Sequence, residues 1–572
     1  MQTLSGRSIG SAVFVLCLFL SAASNAKPLT MAQFTKKPKL VVTIVIDQCR
    51  SDFLTRFEKR MRSQKGGGLS YLMKNGAYFP FAKYDIMQSM TCPGHATVLT
   101  GSYPYQMGIP LNEWYDAVKK TDVYCAEDIT SPIVGRDAKP EEGMSPRRLV
   151  GSTVGDELKI AGYKSKVVTI ALKDRSAIMM GGHRADLAMW VESGKWVSSK
   201  YYLPEGKLPA WILELNAGLE KEKGTKFSWK IAGEATGLTE SVQTVKPTSA
   251  VNAPDGVADE PSVAKGIDRS RETIAGSTQS FATQYGVKVT TQAAIRALKE
   301  FKLGLGPTPD ILAVSYSSHD MLGHEKGLQS SLMEELTMSE DESIGELLKA
   351  IDQQVGLKNV VFAFTGDHGV APPATLMKAA KMPAGAIDVK ALLGELNSSL
   401  DEKWGKSSKG PWILRLKSLN LYLDPAVMAD KKKDRIEVEN EVKRLILKPR
   451  ANGEPEREGI AQVFTRTDWE NRKLPTGRWE RQILKTFIPG KSGDVVLILK
   501  SFWVDSNAFA THLSGYNYDR SVPLIIAGGN AHPGVYANEV EVVDLAPTLS
   551  FMLGLVAPSG SDGRVLHEIF SP

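Results

Sequence analysis

Three carboxylates and three imidazoles stand where apolar runs of this chain give way to polar residues. Asp47 closes "KLVVTIVIDQ" (39–48), and Asp320 closes the run "PDILAVSYSSHD" (309–320), with His324 at i, i+4 spacing. Asp367 and His368 end "KNVVFAFTGDHG" (358–369), and His512 lies in "THLSGYNYD" (511–519). The chain has only eight histidines, so three of them in such positions is a concentration. One aspartate at a strand end is more often a cap or turn residue. Together the six form a borderline-hard donor set suited to zinc and sufficient for two sites. Thr91, in "SMTCPGHATVLTGSYP" (89–104), has two readings that the local sequence does not separate. Its hydroxyl can cap the helix that follows, or it can be a nucleophile. "LKDR" (172–175), with Lys173 and Arg175, reads on its own as a charged turn after a strand.

Positioning such residues takes strands. Continuous β-branched runs at 39–48, 164–172, 309–320, 358–369 and 521–529 read as strands buried on both faces, as in a parallel sheet. Helical patterns lie between them, among them "TVGDELKIAGY" (153–163) and "SIGELLKAIDQQVG" (343–356). The alternation predicts a doubly wound, mostly parallel α/β fold with helices on both faces. Chemistry in such folds sits at the carboxyl ends of the strands. Two segments, about 191–290 and 373–510, break the alternation and read as insertions capping the sheet. The first contains a weakly apolar surface loop at 244–266; the second contains an amphipathic helix at 430–448 and a strand element at 492–503. The lysine triplet 431–433 reads as solvated surface.

With 572 residues and 42% hydrophobic content the chain can bury a large core. A net charge of +6, from 70 basic and 64 acidic residues, comes without a basic tract interleaved with aromatics, so no nucleic-acid partner is expected. Arg7, the apolar stretch "AVFVLCLFLSAA" and "SNA" before Lys27 form a secretory signal over 1–26, leaving 27–572 as the mature domain. The apolar core of that signal is too short to span a bilayer, and no later stretch is long enough. No stable membrane association is expected once it is removed. Cys49, Cys92 and Cys125 then remain, which permits at most one bridge. Buried free thiols are the favoured reading.

The motifs "VIDQCR", "TCPGHATVLTGSYP", "LNEWYD", "LKDRSAI", "SHDMLGH", "TGDHG" and "THLSGYNYD", in that order over roughly 40–550, resemble the alkaline phosphatase superfamily. The resemblance is greatest to its phosphate-irrepressible, threonine-nucleophile bacterial alkaline phosphatases. It implies two zinc ions per chain, one held by Asp320, His324 and His512, the other by Asp47, Asp367 and His368 and also meeting Thr91. It further implies that Thr91 attacks phosphorus to form a phosphothreonine. Asn112, Lys173 and Arg175 would donate to the non-bridging oxygens of small-molecule phosphate monoesters. The expected location is the bacterial periplasm. Thr91 is expected to serve as both helix cap and nucleophile. A nucleotide pyrophosphatase or phosphodiesterase of the same superfamily is the alternative, with a non-catalytic zinc- or phosphate-binding protein behind it. Sulfatase chemistry is disfavoured, because the Cys92–Pro93 pair lacks the arginine of the sulfatase pattern. His95 is expected to bond within its helix packing, His319 to face away from Asp320, and His183 to orient the Lys173–Arg175 pair or serve the loop.

Overall fold

The computed structural model describes residues 37–139, 141–222, 281–447, 457–505 and 508–570. The signal segment 1–26 and the surface loop at 244–266 lie outside the described residues. Seven strands carry the site: β1 (Leu40–Ile46), β2 (Gly76–Lys83), β3 (Val167–Ala171), β4 (Leu187–Glu192), β5 (Asp310–Tyr316), β6 (Val360–Gly366) and β7 (Ser521–Ala527). They lie in the order β2-β7-β6-β1-β5-β3-β4 within a twelve-stranded sheet. The five from β6 to β4 run parallel, as the apolar runs predict. The run at 521–529 is the exception to the parallel reading: β7 is antiparallel to both β6 and β2.

All seven residues of β1 are buried. Leu40, Val42, Ile44 and Ile46 enter one core, and Val41 and Val45 enter another, as alternating side chains of a doubly covered strand must. Each such side chain contributes about 2 kcal/mol by leaving water. Helices Asp52–Ser63, Gln284–Glu300 and Ser331–Gln354 bury their apolar residues in the first core. Helices Val154–Ile160 and Leu545–Leu553 do so in the second, with part of α1 (Thr91–Thr100). The α/β fold is doubly wound as predicted.

Register brings the chemistry together. Ile46 pairs with both Tyr316 and Gly366, and Ser315 pairs with Ala171. Asp47, Asp367, Lys173 and the helix Ser318–Lys326, which carries Asp320 and His324, therefore leave the sheet at one edge. Because β7 is reversed, with Leu524 opposite Thr365, the segment preceding it arrives at the same edge. His512 comes from that segment.

Within 373–510 the strands Ile413–Lys417, Asn420–Leu423, Val495–Leu499 and Ile460–Thr465 form a separate antiparallel sheet, in that spatial order. Helices Val389–Trp404 and Arg435–Leu447 pack on it around Leu396, Leu400, Val438 and Val442. The helix and strand read from 430–448 and 492–503 are both there.

Candidate active site

The structure gathers the six candidate ligands into two groups. Facing atoms of Asp320, His324 and His512 lie within 4.8 Å of one another, and those of Asp47, Asp367 and His368 do likewise. His324 Nε2 is 3.1 Å from Asp320 Oδ1, and His512 Nε2 is 3.8 Å from the same oxygen. His368 Nε2 lies 3.5 Å from Asp47 Oδ1 and 3.3 Å from Asp367 Oδ2. Each of the three rings is fixed from behind. Nδ1–H of His324 donates to the Ala510 carbonyl (2.8 Å), that of His368 to the Gly369 carbonyl (2.9 Å), and that of His512 to the Ser89 carbonyl (2.7 Å). This makes each Nδ1 the donor, so that each ring turns Nε2 to the site and, when neutral, offers its lone pair there.

The two groups form one centre. The His368 and His512 rings stack with centroids 3.7 Å apart. Gln48 donates from its backbone N–H to Asp367 Oδ1 (2.9 Å) and from Nε2 to Asp320 Oδ1 (2.6 Å). To do so it adopts φ 68°, a left-handed conformation unusual for a side chain of this size. Lys173 Nζ donates to Asp47 Oδ2 (2.6 Å) and Asp320 Oδ2 (2.5 Å). An ammonium has three N–H donors, so one remains for a ligand.

The electrostatics follow from burial. Removal from water, with Asp367 close by, pushes the Asp47 carboxyl up to about 8 against the pull of Lys173. Burial would also raise Asp320, but His324 and Lys173 outweigh it and hold Asp320 well below the usual carboxylate range. Burial and the neighbouring His368 and His324 keep His512 neutral. Asp47 Oδ1, Asp367 Oδ2 and His368 Nε2 are buried without a hydrogen-bond partner among the described residues. Three orphaned acceptors converging in one place are what a divalent cation satisfies. Three N/O ligands per group are the set that a catalytic zinc takes.

Thr91 is the first residue of α1, and extended Met90, not Thr91, is the N-cap. The expectation that the threonine caps its helix is thus corrected: Asn112 takes that role, its Oδ1 accepting from the Cys92 N–H at 2.7 Å. Pro93 sits in the first turn, where its missing N–H costs nothing. Gly94 packs against the Asp367 turn so closely that a Cβ there would come within 2.4 Å of the Asp367 carbonyl oxygen. His95 Nδ1–H donates to the Thr91 carbonyl (2.9 Å) and lies 3.1 Å from Asp367 Oδ2, while Nε2 meets Ser315 Oγ at 2.8 Å. It therefore bonds within its packing, as expected. His319 turns away to Glu340 Oε2 (3.1 Å), also as expected. His183 engages Asp156 through its backbone N–H.

Cys92 and Cys125 form a disulfide and Cys49 is free and buried, so the free-thiol reading holds for Cys49 alone. Asn112 contacts both bridged cysteines, its Oδ1 accepting from the Cys92 N–H and its carbonyl accepting from the Cys125 N–H at 2.9 Å. Lys173 is the N-cap of α2 (Asp174–Gly181), and Arg175 lies in its first turn, buried. The Tyr124 hydroxyl donates to Asp174 Oδ1 (2.6 Å) and lies 3.5 Å from Arg175 Nη1.

Sequence reasoning missed Gln48, Tyr124, Asp174 and Asp519. Asp519 takes hydrogen bonds from the backbone N–H of Leu513 (3.2 Å) and Ser514 (2.8 Å) and from Ser514 Oγ (2.5 Å). It thereby holds the turn after His512, where Leu513 has φ 144°. Burial pushes its carboxyl up to about 7 against those bonds. Gln48 and Tyr124 have partners remote in sequence, whereas Asp519 and its partners all lie within "THLSGYNYD", where a local turn was readable.

The sequence profile of the type I phosphodiesterase / nucleotide pyrophosphatase family matches residues 41–507. Alkaline phosphatase PhoV of Synechococcus elongatus is 29% identical over 562 residues, 96% of this chain and 98% of that protein. A protein of Myroides odoratus named calcium-transporting ATPase is 28% identical over 571 residues, 97% and 98% of the two chains. Alkaline phosphatase PafA of Elizabethkingia meningoseptica is 29% identical over 548 residues, 93% of this chain and 94% of that protein. The crystal structure of PafA superposes with a TM-score of 0.79 at 27% identity, covering 94% of this chain and 99% of that one. On the profile match, the full-length similarity and the shared fold, the chain belongs to the type I phosphodiesterase / nucleotide pyrophosphatase family within the alkaline phosphatase superfamily.

Proposed function

We propose that this protein is a zinc-dependent alkaline phosphatase that hydrolyses small-molecule phosphate monoesters through a phosphothreonine on Thr91. The observation that carries this reading is the Lys173 ammonium seated between Asp47 and Asp320, the two groups it joins. A monoester presents three charged non-bridging oxygens, and a loose transition state spreads charge over all of them. Donors beyond the cations are then worth having.

Asp320, His324 and His512 would hold one zinc ion, and Asp47, Asp367 and His368 a second that also meets Thr91. When bound, the pair supplies Lewis-acid stabilisation of the attacking and leaving oxygens of an in-line displacement. The residues do the rest. The Thr91 hydroxyl gives its proton to water and its oxygen bonds to phosphorus while the bond to the ester oxygen breaks; the ester oxygen leaves as the alcohol after taking a proton from water, and phosphate stays on Thr91. Water then cleaves that bond from the opposite side, releases inorganic phosphate and returns the hydroxyl. The N-terminus of α1 favours the negative charge that gathers there. The third N–H of Lys173, the fork of Arg175 and the Asn112 amide, whose oxygen is already engaged with Cys92, are the donors for the phosphoryl oxygens.

Residues 27–572 act as one catalytic domain, capped by the insertions at about 191–290 and 373–510. Export by the 1–26 segment places the activity in the periplasm. Among the described residues no helix is long and apolar enough to cross a membrane. The family profile favours one second reading, hydrolysis of diesters or nucleotide pyrophosphates by the same centre. Acid quenching of the zinc-loaded protein during turnover of a phenyl phosphate, followed by peptide mass spectrometry, tests the nucleophile. Phosphate on Thr91 is expected; turnover with phosphate on no residue, or on another one, overturns the assignment.

A further inference from the structure

The donors that receive the phosphoryl oxygens are supported by something the reaction itself does not use. The strands Glu113–Asp116 and Thr121–Tyr124 form an antiparallel hairpin in which Glu113 pairs with Tyr124. Asn112 immediately precedes it and Cys125 immediately follows it, and the two ends are joined by the Cys125 N–H to Asn112 carbonyl bond (2.9 Å). The bridge to Cys92 and the Asn112 Oδ1 bond to the Cys92 N–H (2.7 Å) then close a ring onto the residue after Thr91.

The same hairpin reaches Arg175. Asp174 Oδ1 accepts from both the Tyr124 hydroxyl (2.6 Å) and the Arg175 backbone N–H (2.7 Å). The guanidinium stands 3.9 Å from that carboxylate, with its Nε buried and without a hydrogen-bond partner among the described residues. The Tyr124 hydroxyl also accepts a long bond from Arg175 Nη1 (3.5 Å), so the hairpin holds the guanidinium as well as the carboxylate beside it. From outside, the capping segment grips the hairpin: Lys417 pairs with Glu113 (2.5 Å) and Asp122 (3.0 Å), and Lys120 pairs with Asp424 (2.7 Å). None of these contacts involves any of the six candidate ligands.

We propose that this hairpin is the selectivity device of the site, with Tyr124 and Asp174 as positioning residues that hold Arg175 in place, and with the Cys92–Cys125 bridge keeping Asn112 in register with Thr91. The substrate class it selects is the phosphoryl dianion of a monoester, over the singly charged phosphoryl group of a diester. The inference rests on the reading of Asn112 and Arg175 as phosphoryl donors. It goes further by assigning a role to the hairpin, the disulfide and, through Lys417, the 373–510 insertion.

The test compares Tyr124→Phe, the double variant Cys92→Ala/Cys125→Ala and Arg175→Ala with the unaltered zinc-loaded protein. Each is measured with an aryl phosphate monoester, the corresponding diester and inorganic phosphate as inhibitor, and zinc content is determined alongside. Loss of one buried hydrogen bond in Tyr124→Phe should lower monoester kcat/KM roughly tenfold and weaken phosphate inhibition by a similar factor. Diester kcat/KM should stay within about twofold and zinc content should not change, since the carboxylate-imidazole groups are untouched. The double cysteine variant should shift selectivity the same way. A merely structural role would lower both substrates equally or cost zinc, and either result overturns the proposal, as does an unchanged monoester to diester ratio in Tyr124→Phe. Arg175→Ala separates the two levels: if it also spares monoesters, the donor reading itself fails. If it is monoester-selective and Tyr124→Phe is not, only the positioning role fails.

Discussion

The carboxylate-imidazole half of the site and the half proposed to bind the phosphoryl group are held by different kinds of structure. Asp47 and Asp367 leave adjacent parallel strands in register, Asp320 follows a third, and each imidazole is fixed by a backbone carbonyl at its rear nitrogen. Asn112 and Arg175 instead depend on a side-chain amide, a tyrosine hydroxyl and a disulfide, all outside the central sheet. A position set by sheet register moves only if strands slip past one another, which would turn every buried side chain to the wrong face. A position set by a few side-chain contacts can be retuned by one substitution. The first half is thus suited to carry the reaction and the second to choose the substrate, with Lys173 belonging to both.

Substitutions on either side of that division should fail differently. The largest effect is expected for Thr91→Ala, which removes the proposed nucleophile while leaving all six carboxylate and imidazole ligand candidates in place: turnover should drop at least about a thousandfold with zinc content unchanged. His512→Ala should come next, because it opens the Asp320 group. About one zinc equivalent should be lost on dialysis, with activity falling on the order of a hundredfold for monoester and diester alike, and partial recovery at high zinc. Lys173→Ala should cost monoesters on the order of a hundredfold in kcat/KM and diesters only a few-fold, which parallel kinetics would read directly. Equal losses would place Lys173 in the first half alone. The smallest effect belongs to Asp519→Asn, which weakens the hold on the turn after His512: zinc affinity should fall roughly tenfold, with the monoester to diester ratio unaltered. A changed ratio there would blur the division between the halves.

The division also explains what could be read from the chain. Asp47 and Asp367 were legible because each ends an uninterrupted buried strand and the two recur with imidazoles at the same kind of position; either alone would read as a cap or turn residue. The parallel β-α alternation was legible from the same uninterrupted runs. The direction of β7 was not: its apolar run has the same composition as those of the parallel strands, and only pairing with Thr365 shows that it is reversed. His512, which precedes that strand rather than following it, therefore rested on the motif and not on strand logic. Thr91 was misjudged as a cap because the residue that satisfies the helix start, Asn112, lies 20 residues away. The Cys92–Cys125 bridge was hidden by an odd cysteine count, and Gln48 and Tyr124 by partners that only the folded chain brings near.

The most direct measurement of the central claim is the ratio of kcat/KM for a p-nitrophenyl phosphate monoester to that for its diester, with the zinc-loaded protein. A strong monoester preference is the predicted result, because Asn112, Lys173 and Arg175 address charge that a diester does not carry. A diester preference would keep the two ligand groups and Thr91 but contradict the phosphomonoesterase assignment, and would make this chain a phosphodiesterase.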